Sequence, residues 1–249
     1  MRPARVGVLL AAWRLVRAVV HALHGAAVCA FVFPRLDAAG RMERVAWWGA
    51  GMLRALGIRL DAEGTLAAAP VLLLANHVSW LDILAIDALR GVRFVSKADV
   101  RHWPLIGYLV ESGGTLFIER ERKRDALRVV HHVAEALREG ATVAVCPEGT
   151  TGTGGTVLPL HANLLQAAVA TGIPVQPVAL RYADAAAAFS PAVDWTEVNL
   201  VQSVWRAARA RGLVAHVRAL PPIPTAGAER RVLAEAVRTQ LQAALDVAR

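Results

Sequence analysis

Val71-Leu72-Leu73-Leu74-Ala75-Asn76-His77-Val78-Ser79-Trp80-Leu81-Asp82 is the stretch whose reading decides the fold of this chain. The apolar run that follows Pro70 has the length of a buried strand, so His77 emerges where a strand ends and the chain turns. Open α/β sheets place their chemistry at such strand ends. Ser79 followed by Asp82 reads as a capping-box-like helix start, with Ser79 the N-cap of a helix from Leu81 to Leu89 and Asp82 in its first turn. On one continuous helix, side chains five residues apart point about 140° apart, but across a strand-turn-helix corner they can meet. A carboxylate bonded to one imidazole nitrogen fixes the tautomer, raises the basicity of the other nitrogen and stabilises the imidazolium. His77 with Asp82 would then be a general base for a hydroxyl or thiol. The same two residues could instead merely cap and solvate a helix start, and the spacing alone does not choose.

Outward from this corner the chain alternates short strands with helices. Strands are expected at Ile58 to Leu60, Val71 to Ala75, Val92 to Ser96, Thr115 to Ile118, Ala141 to Cys146, Val175 to Leu180 and Val214 to Ala219. Helices are expected at Lys123 to Glu139, Leu164 to Thr171 and Ala228 to Ala248, with an alanine-rich surface excursion at Asp184 to Ser190. This alternation predicts an α/β fold, a mostly parallel mixed sheet covered by helices on both faces.

Two further stretches end at strand edges. Gly113 to Arg120 delivers Arg120 to the end of a short strand, where a guanidinium can hold a phosphate through two hydrogen bonds. Arg122 to Arg124 read instead as a solvated loop of mixed charge. In Cys146-Pro147-Glu148-Gly149-Thr150-Thr151-Gly152, Pro147 and Gly149 force a tight turn that should expose backbone N–H groups and the Glu148 carboxylate to a polar headgroup. The glycine run fits neither phosphate-loop pattern: Gly149 and Gly154 lack the following Lys-Ser/Thr, and G-x-G-x-x-G fails at Val157. No G-x-S-x-G nucleophile elbow occurs, and His131-His132 reads as solvated. His77, His102 and His161 match no recognised metal-ligand spacing, so no metal is expected.

Composition points to lipid. Of 249 residues, 55% are hydrophobic, and the mean hydropathy is +0.40. The net charge of +8 and pI near 10.8 suit an anionic partner, and the hydrophobicity favours a phospholipid surface over nucleic acid. No basic stripe interleaved with aromatics marks a nucleic-acid binder. Val6 to Phe33 is apolar but interrupted by Arg14, Arg17, His21 and His24, and its longest stretch without Lys, Arg, Asp or Glu, Ala18 to Pro34, falls short of a span of about 20 residues. It reads as an interfacial or half-inserted helix, with Arg2, Arg5, Arg14 and Arg17 near anionic headgroups, a single tilted span being the alternative. Arginines inside the apolar region and the lack of a small-x-small site argue against a cleaved signal peptide. A second helix, Arg41 to Leu56, carries Trp47 and Trp48, which suit a membrane interface or ordinary packing. Residues 1–56 are thus expected to form membrane-associated helices and 57–249 the catalytic domain. With only Cys29 and Cys146, no disulfide framework is expected, which suits a cytoplasmic catalytic face.

Taken in order, Asn76 to Asp82 (NHVSWLD), Gly114 to Arg120 (GTLFIER), Cys146 to Gly152 (CPEGTTG) and Ile173 to Ala179 (IPVQPVA) resemble the 1-acyl-glycerol-3-phosphate acyltransferase (PlsC) family of glycerolipid acyltransferases, from about Leu53 to the C-terminus. The resemblance implies transfer of an acyl group from acyl-CoA or acyl carrier protein, as co-substrate and without a further cofactor, to the free hydroxyl of lysophosphatidic acid. It implies His77 as general base oriented by Asp82 in an H-x4-D motif, with no acyl-enzyme required. Arg120, Glu148, Gly149 and Thr150 would bind the acceptor, Pro174 would lie near the donor site, and Asn76 and Ser79 would support the base. Membrane phospholipids are the expected surroundings, at a bacterial inner membrane with the catalytic domain facing the cytoplasm. Two departures stand out: Cys146 where the family has Phe, and Thr151 where it often has Arg or Lys. Val157 to His161 resembles a proteobacterial branch that acylates lyso-ornithine lipid, the alternative acceptor. A noncatalytic lipid-binding protein of the same fold is the alternative of another class.

Overall fold

The computed structural model describes residues 4–118, 123–195 and 198–247, without the side chains of 123–127. Two helices lead, α1 (Val8–Phe31) and α2 (Ala38–Leu56), followed by the strands β1 (Arg59–Glu63) and β2 (Val71–Ala75). Then come α3 (Leu81–Asp87), β3 (Arg93–Lys97), α4 (Ile106–Ser112), β4 (Leu116–Ile118), α5 (Lys123–Arg138) and β5 (Thr142–Val145). The chain closes with α6 (Leu165–Thr171), β6 (Val175–Ala183), α7 (Leu200–Arg209), β7 (Val214–Ala219) and α8 (Arg230–Asp246). The strands form one seven-stranded sheet in the order β1-β7-β6-β2-β5-β3-β4. Pairings are parallel except between β6 and β7, so β1 and β7 run against the rest.

β2 shows why an uninterrupted apolar run was needed. Side chains alternate across a strand, and both faces of β2 are covered, so every residue from Val71 to Ala75 is buried. Val71, Leu73 and Ala75 join a core with residues of α2, α3 and β7, whereas Leu72 and Leu74 join a second core with residues of α5, α6 and α8. A polar side chain at any of the five would be stranded in one core or the other.

The N-terminal helices are joined by specific contacts. Asp37 caps α2, its Oδ1 accepting the Gly40 N–H at 2.8 Å, and Gly57 closes it at a φ of 75°, a left-handed geometry that glycine adopts without steric penalty. The side of α1 toward its neighbours carries small buried residues seven apart, Ala11, Ala18 and Gly25. The Trp48 indole lies so close to Gly25 that a Cβ there would meet Nε1 at 2.3 Å. Trp48 donates to the His21 carbonyl at 3.2 Å, while His21 Nε2 reaches the Trp48 carbonyl at 2.9 Å. The two tryptophans differ in degree: Trp48 is taken up by helix packing, whereas Trp47 is 45% exposed and lays its ring against His21 and His24 at 5.3 and 5.4 Å between centroids. Arg14, inside the apolar stretch, donates to the Ala208 and Ala210 carbonyls at 2.9 Å, tying α1 to the end of α7. Leu9, Trp13, Val16, Val20 and Leu23 are left exposed.

Expected strands and helices match the observed ones to within a few residues. The largest shortfalls are of three residues: β1 and β6 each run three beyond the expected end, and α2 begins three before its expected start. Helices α4 and α7 were not anticipated: α4 is short and begins after Pro104, and α7 has a capping box, Asn199 with Gln202, that was not recognised. The helix predicted over Leu81 to Leu89 stops at Asp87.

Candidate active site

β2 runs out at Ala75, and the chain turns through Asn76 to Trp80 into α3, bringing His77 onto Asp82. His77 Nδ1 and Asp82 Oδ2 are 2.7 Å apart. The same oxygen accepts the backbone N–H of Val78 at 2.7 Å and of Ser79 at 3.0 Å. The other oxygen accepts the Tyr182 hydroxyl at 2.8 Å. This arrangement overturns the expected cap. Trp80 precedes the helix and the Ser79 hydroxyl is buried without a partner, so it caps nothing. Instead Asp82 reaches back from the first turn and captures the loop's own amides. The reason is charge: a carboxylate buried from water needs several donors, and the turn supplies two backbone N–H groups at hydrogen-bonding distance.

A carboxylate that accepts from Nδ1 keeps a proton on that nitrogen in both forms of the ring, so Nε2 is the position that gains or loses the second proton. Asp82 is fully buried while the His77 side chain keeps 26% of its exposure. The base is therefore open to a substrate and its partner is not. Burial of the ring works against the imidazolium, whereas Cys146, once charged, and the hydrogen bond and charge of Asp82 favour it, so that His77 is raised above its ordinary value of 6.5. Burial also pushes the Cys146 thiol up.

Adjacent β5 ends at Val145 and delivers the second motif to the same corner. Gly149 turns at a φ of 73°, and its N–H donates to the Cys146 carbonyl at 3.3 Å. Glu148 does not face outward as expected. Only 5% exposed, it accepts the His77 N–H at 3.2 Å and the Leu158 N–H at 3.1 Å. Those bonds turn it inward, where it braces the base's backbone, and burial lifts its carboxyl to about 7. The Gly152 N–H donates to the His77 carbonyl at 2.7 Å, clamping the two loops together.

Asn76 continues the sheet with its side chain: Nδ2 donates to the Leu180 carbonyl at 2.9 Å and Oδ1 accepts the Leu180 N–H at 2.7 Å. Thr150 is exposed beside the turn. Arg120 lies outside the described residues. Pro174 is not brought to the corner. Its carbonyl accepts the Leu72 N–H at 3.1 Å, at the opposite end of β2, and the five residues from Leu72 to His77 span about 16 Å of extended chain. Parallel pairing fixes this, since Leu72 sits beside Val175 and the start of β6 must lie beside the start of β2.

Sequence reasoning missed Tyr182 and the closeness of Cys146. Tyr182 is 100 positions from Asp82, and the only local signal was a buried tyrosine near the end of a largely apolar strand. The donor atoms of His77, Asp82 and Cys146 lie within 4.8 Å of one another, close enough for one cation. The lone pairs of Asp82 are already engaged by four donors, however, so the cluster is built as a proton relay.

Comparison with known proteins agrees with this chemistry. The family model described as Acyltransferase matches residues 58–181. A lyso-ornithine lipid O-acyltransferase of Pseudomonas aeruginosa is 35% identical over 246 residues, 97% of this chain and 95% of that protein. A 1-acyl-sn-glycerol-3-phosphate acyltransferase of Neisseria meningitidis is 38% identical over 160 residues, 64% of this chain and 63% of that protein. The crystal structure of PlsC from Thermotoga maritima, the 1-acyl-sn-glycerophosphate acyltransferase, superposes with a TM-score of 0.75 over 96% of this chain and 94% of that one. At 20% identity that likeness establishes the shared fold. With a histidine-carboxylate pair at the strand end, the acyltransferase family model over residues 58–181 and a relative matched over nearly its whole length, this chain is a member of the PlsC family of glycerolipid acyltransferases.

Proposed function

We propose that this acyltransferase passes a fatty acyl group from acyl-CoA or acyl carrier protein to the free hydroxyl of lysophosphatidic acid, giving phosphatidic acid. The observation that carries the mechanism is the 2.7 Å bond from His77 Nδ1 to a fully buried Asp82, with the ring itself still accessible. Nε2 takes the hydroxyl proton as the oxygen attacks the thioester carbonyl. The tetrahedral intermediate collapses, the C–S bond breaks, and the departing thiolate recovers the proton from His77. The reaction drawn this way uses no metal or organic cofactor. Glu148 braces His77 through its backbone, Asn76 holds the start of the loop, Gly149 and Thr150 line the acceptor side, and Arg120 is assigned to the acceptor phosphate on the sequence pattern alone.

A second acceptor, lyso-ornithine lipid, is favoured by one observation: the Pseudomonas aeruginosa relative of that activity matches end to end. Thr151, lacking the charge of an Arg or Lys, points the same way.

For location, we propose the cytoplasmic side of a bacterial inner membrane. One helix, Val8–Arg35, is long and apolar enough to cross a bilayer by length and composition. Arg14, however, is bonded to the end of α7, which supports a helix lying in the interface with the catalytic domain against one side of it.

The test is acyl transfer by the purified protein in lipid vesicles, offering lysophosphatidic acid and lyso-ornithine lipid in parallel with both donors. Transfer should occur to one acceptor and vanish in His77→Ala, with vesicle binding retained. Wild-type turnover in His77→Ala would refute the base, and transfer only to lyso-ornithine lipid would replace the first acceptor by the second.

A further inference from the structure

β6 outlasts its neighbour, and the overhang is where the catalytic corner is held. β2 ends at Ala75, paired with Val178, while β6 continues to Ala183. Beyond the last pair the Asn76 amide takes the place of a strand, bonding both the N–H and the carbonyl of Leu180. Two residues further along β6, the Tyr182 hydroxyl donates to Asp82 Oδ1 at 2.8 Å. One strand thus grips the corner twice, by its backbone near the start and by a side chain at the carboxylate.

The two oxygens of Asp82 are held differently. Oδ2 takes its donors from His77, Val78 and Ser79, all within the turn itself. Those bonds close the turn on the carboxylate but would move with it. Tyr182 is the one donor among the described residues that reaches Asp82 from the sheet. It is 2% exposed and packed in the core with Leu180 and Val217, so its hydroxyl has no water to turn to and its ring cannot swing.

We infer that Tyr182 is a positioning residue for acyl transfer: through Asp82 Oδ1 it anchors the His77 ring to the sheet and withdraws part of the carboxylate charge from the base. This rests on His77 acting as the base. The groups that face the relay are Asp82 from α3, Cys146 from the end of β5, Glu148 from the turn after it, and Tyr182 from β6. Of these, Tyr182 alone donates a neutral O–H to the carboxylate. Deleting it leaves more negative charge on the His77 bond, so the ring keeps its proton to higher pH.

The test is Tyr182→Phe, which removes one oxygen and keeps the ring. A hydrogen bond to a charged group supports a fall in kcat of roughly tenfold or more. The KM values for donor and acceptor should stay within about twofold, since no substrate contact is lost. The acidic limb of the pH–rate profile should move to higher pH. A second measurement does not depend on how well Phe is tolerated. The chain has two tyrosines, Tyr108 and Tyr182, so fluorotyrosine incorporated into Tyr108→Phe protein reports on position 182 alone. Its more acidic phenol donates more strongly and should move the limb to lower pH than in unlabelled Tyr108→Phe protein. Opposite shifts in the two proteins establish the inference. An unmoved limb in both overturns it and reduces Tyr182 to packing, even with kcat lowered. If His77→Ala is inactive while Tyr182→Phe behaves as wild type, only this inference fails; if His77→Ala is active, the base itself is misassigned.

Discussion

Asp82→Asn separates charge from geometry at the heart of the site. The amide can keep its oxygen toward the Val78 and Ser79 N–H groups and toward His77, and turn its NH2 to the Tyr182 oxygen, which can accept. Fold stability should therefore change by no more than about 1 kcal/mol. The lost quantity is the negative charge that stabilises the imidazolium in the transition state. General-base assistance of this kind supplies roughly 10²- to 10⁴-fold in rate, or about 3 to 5 kcal/mol at 1.36 kcal/mol per tenfold. Without the carboxylate, one of the two groups that raise the ring against its burial is lost, so the acidic limb should shift to lower pH. The rates must be compared on the alkaline plateau, where both proteins hold a neutral His77. Transfer of labelled acyl groups in vesicles from pH 5 to 10 measures rate and limb together. A plateau rate within threefold of wild type, with an unmoved limb, would refute the relay. Asp82→Ala is the poorer experiment. It strands the Val78 N–H, the Ser79 N–H and the Tyr182 hydroxyl in a buried site, at about 1–3 kcal/mol each, a large part of a typical folding free energy of about 5–15 kcal/mol. Its inactivity would say little about chemistry.

Other outcomes follow from the same structure. Asp87, buried under α2 and accepting the Val92 N–H at 3.1 Å, has its carboxyl lifted from 3.8 to about 8 by burial. The folded state thus holds a proton the unfolded chain has lost, so this group's contribution to stability falls as pH rises from 3.8 to about 8. Unfolding by urea should show Asp87→Asn gaining on wild type between pH 5 and 9; an equal difference at both pH values would contradict the assignment. On the outward side of α1, replacing Leu9, Trp13 and Val20 together by Ser should weaken vesicle binding by two orders of magnitude or more, at about 1 kcal/mol or more per side chain. Sedimentation with anionic vesicles measures it, and unchanged binding would mean that another surface meets the membrane.

The strands were legible because burial on both faces leaves no polar position in β2, and Pro70, Gly57 and the Gly149 turn punctuate the pattern. The His77–Asp82 pair was legible for a related reason: a strand end followed by a helix start brings residues five apart onto one corner. Thr150 and Glu148 were placed beside it by the parallel pairing of β2 and β5. The mistaken readings share a cause. Ser79 as a cap and Glu148 as an outward carboxylate were each inferred locally. Each was decided by which donors a buried charge could find.

The sequence by itself determined the alternation of strands and helices, the buried central strand and the apolar leading helix, because these depend on periodicities of a few residues; the choice of His77 and Asp82 rested on the order of four motifs along the chain, since their spacing alone left helix capping open. Only the tertiary structure decided that Tyr182 grips Asp82 from a strand 100 positions away, that Glu148 braces the backbone of His77, and that Trp48 belongs to helix packing while Trp47 is left partly exposed. Those contacts join residues far apart in the chain, and no local pattern encodes them. They arise because a charge or an indole taken out of water must find its partners wherever the sheet and helices bring donors and carbonyls within about 3 Å.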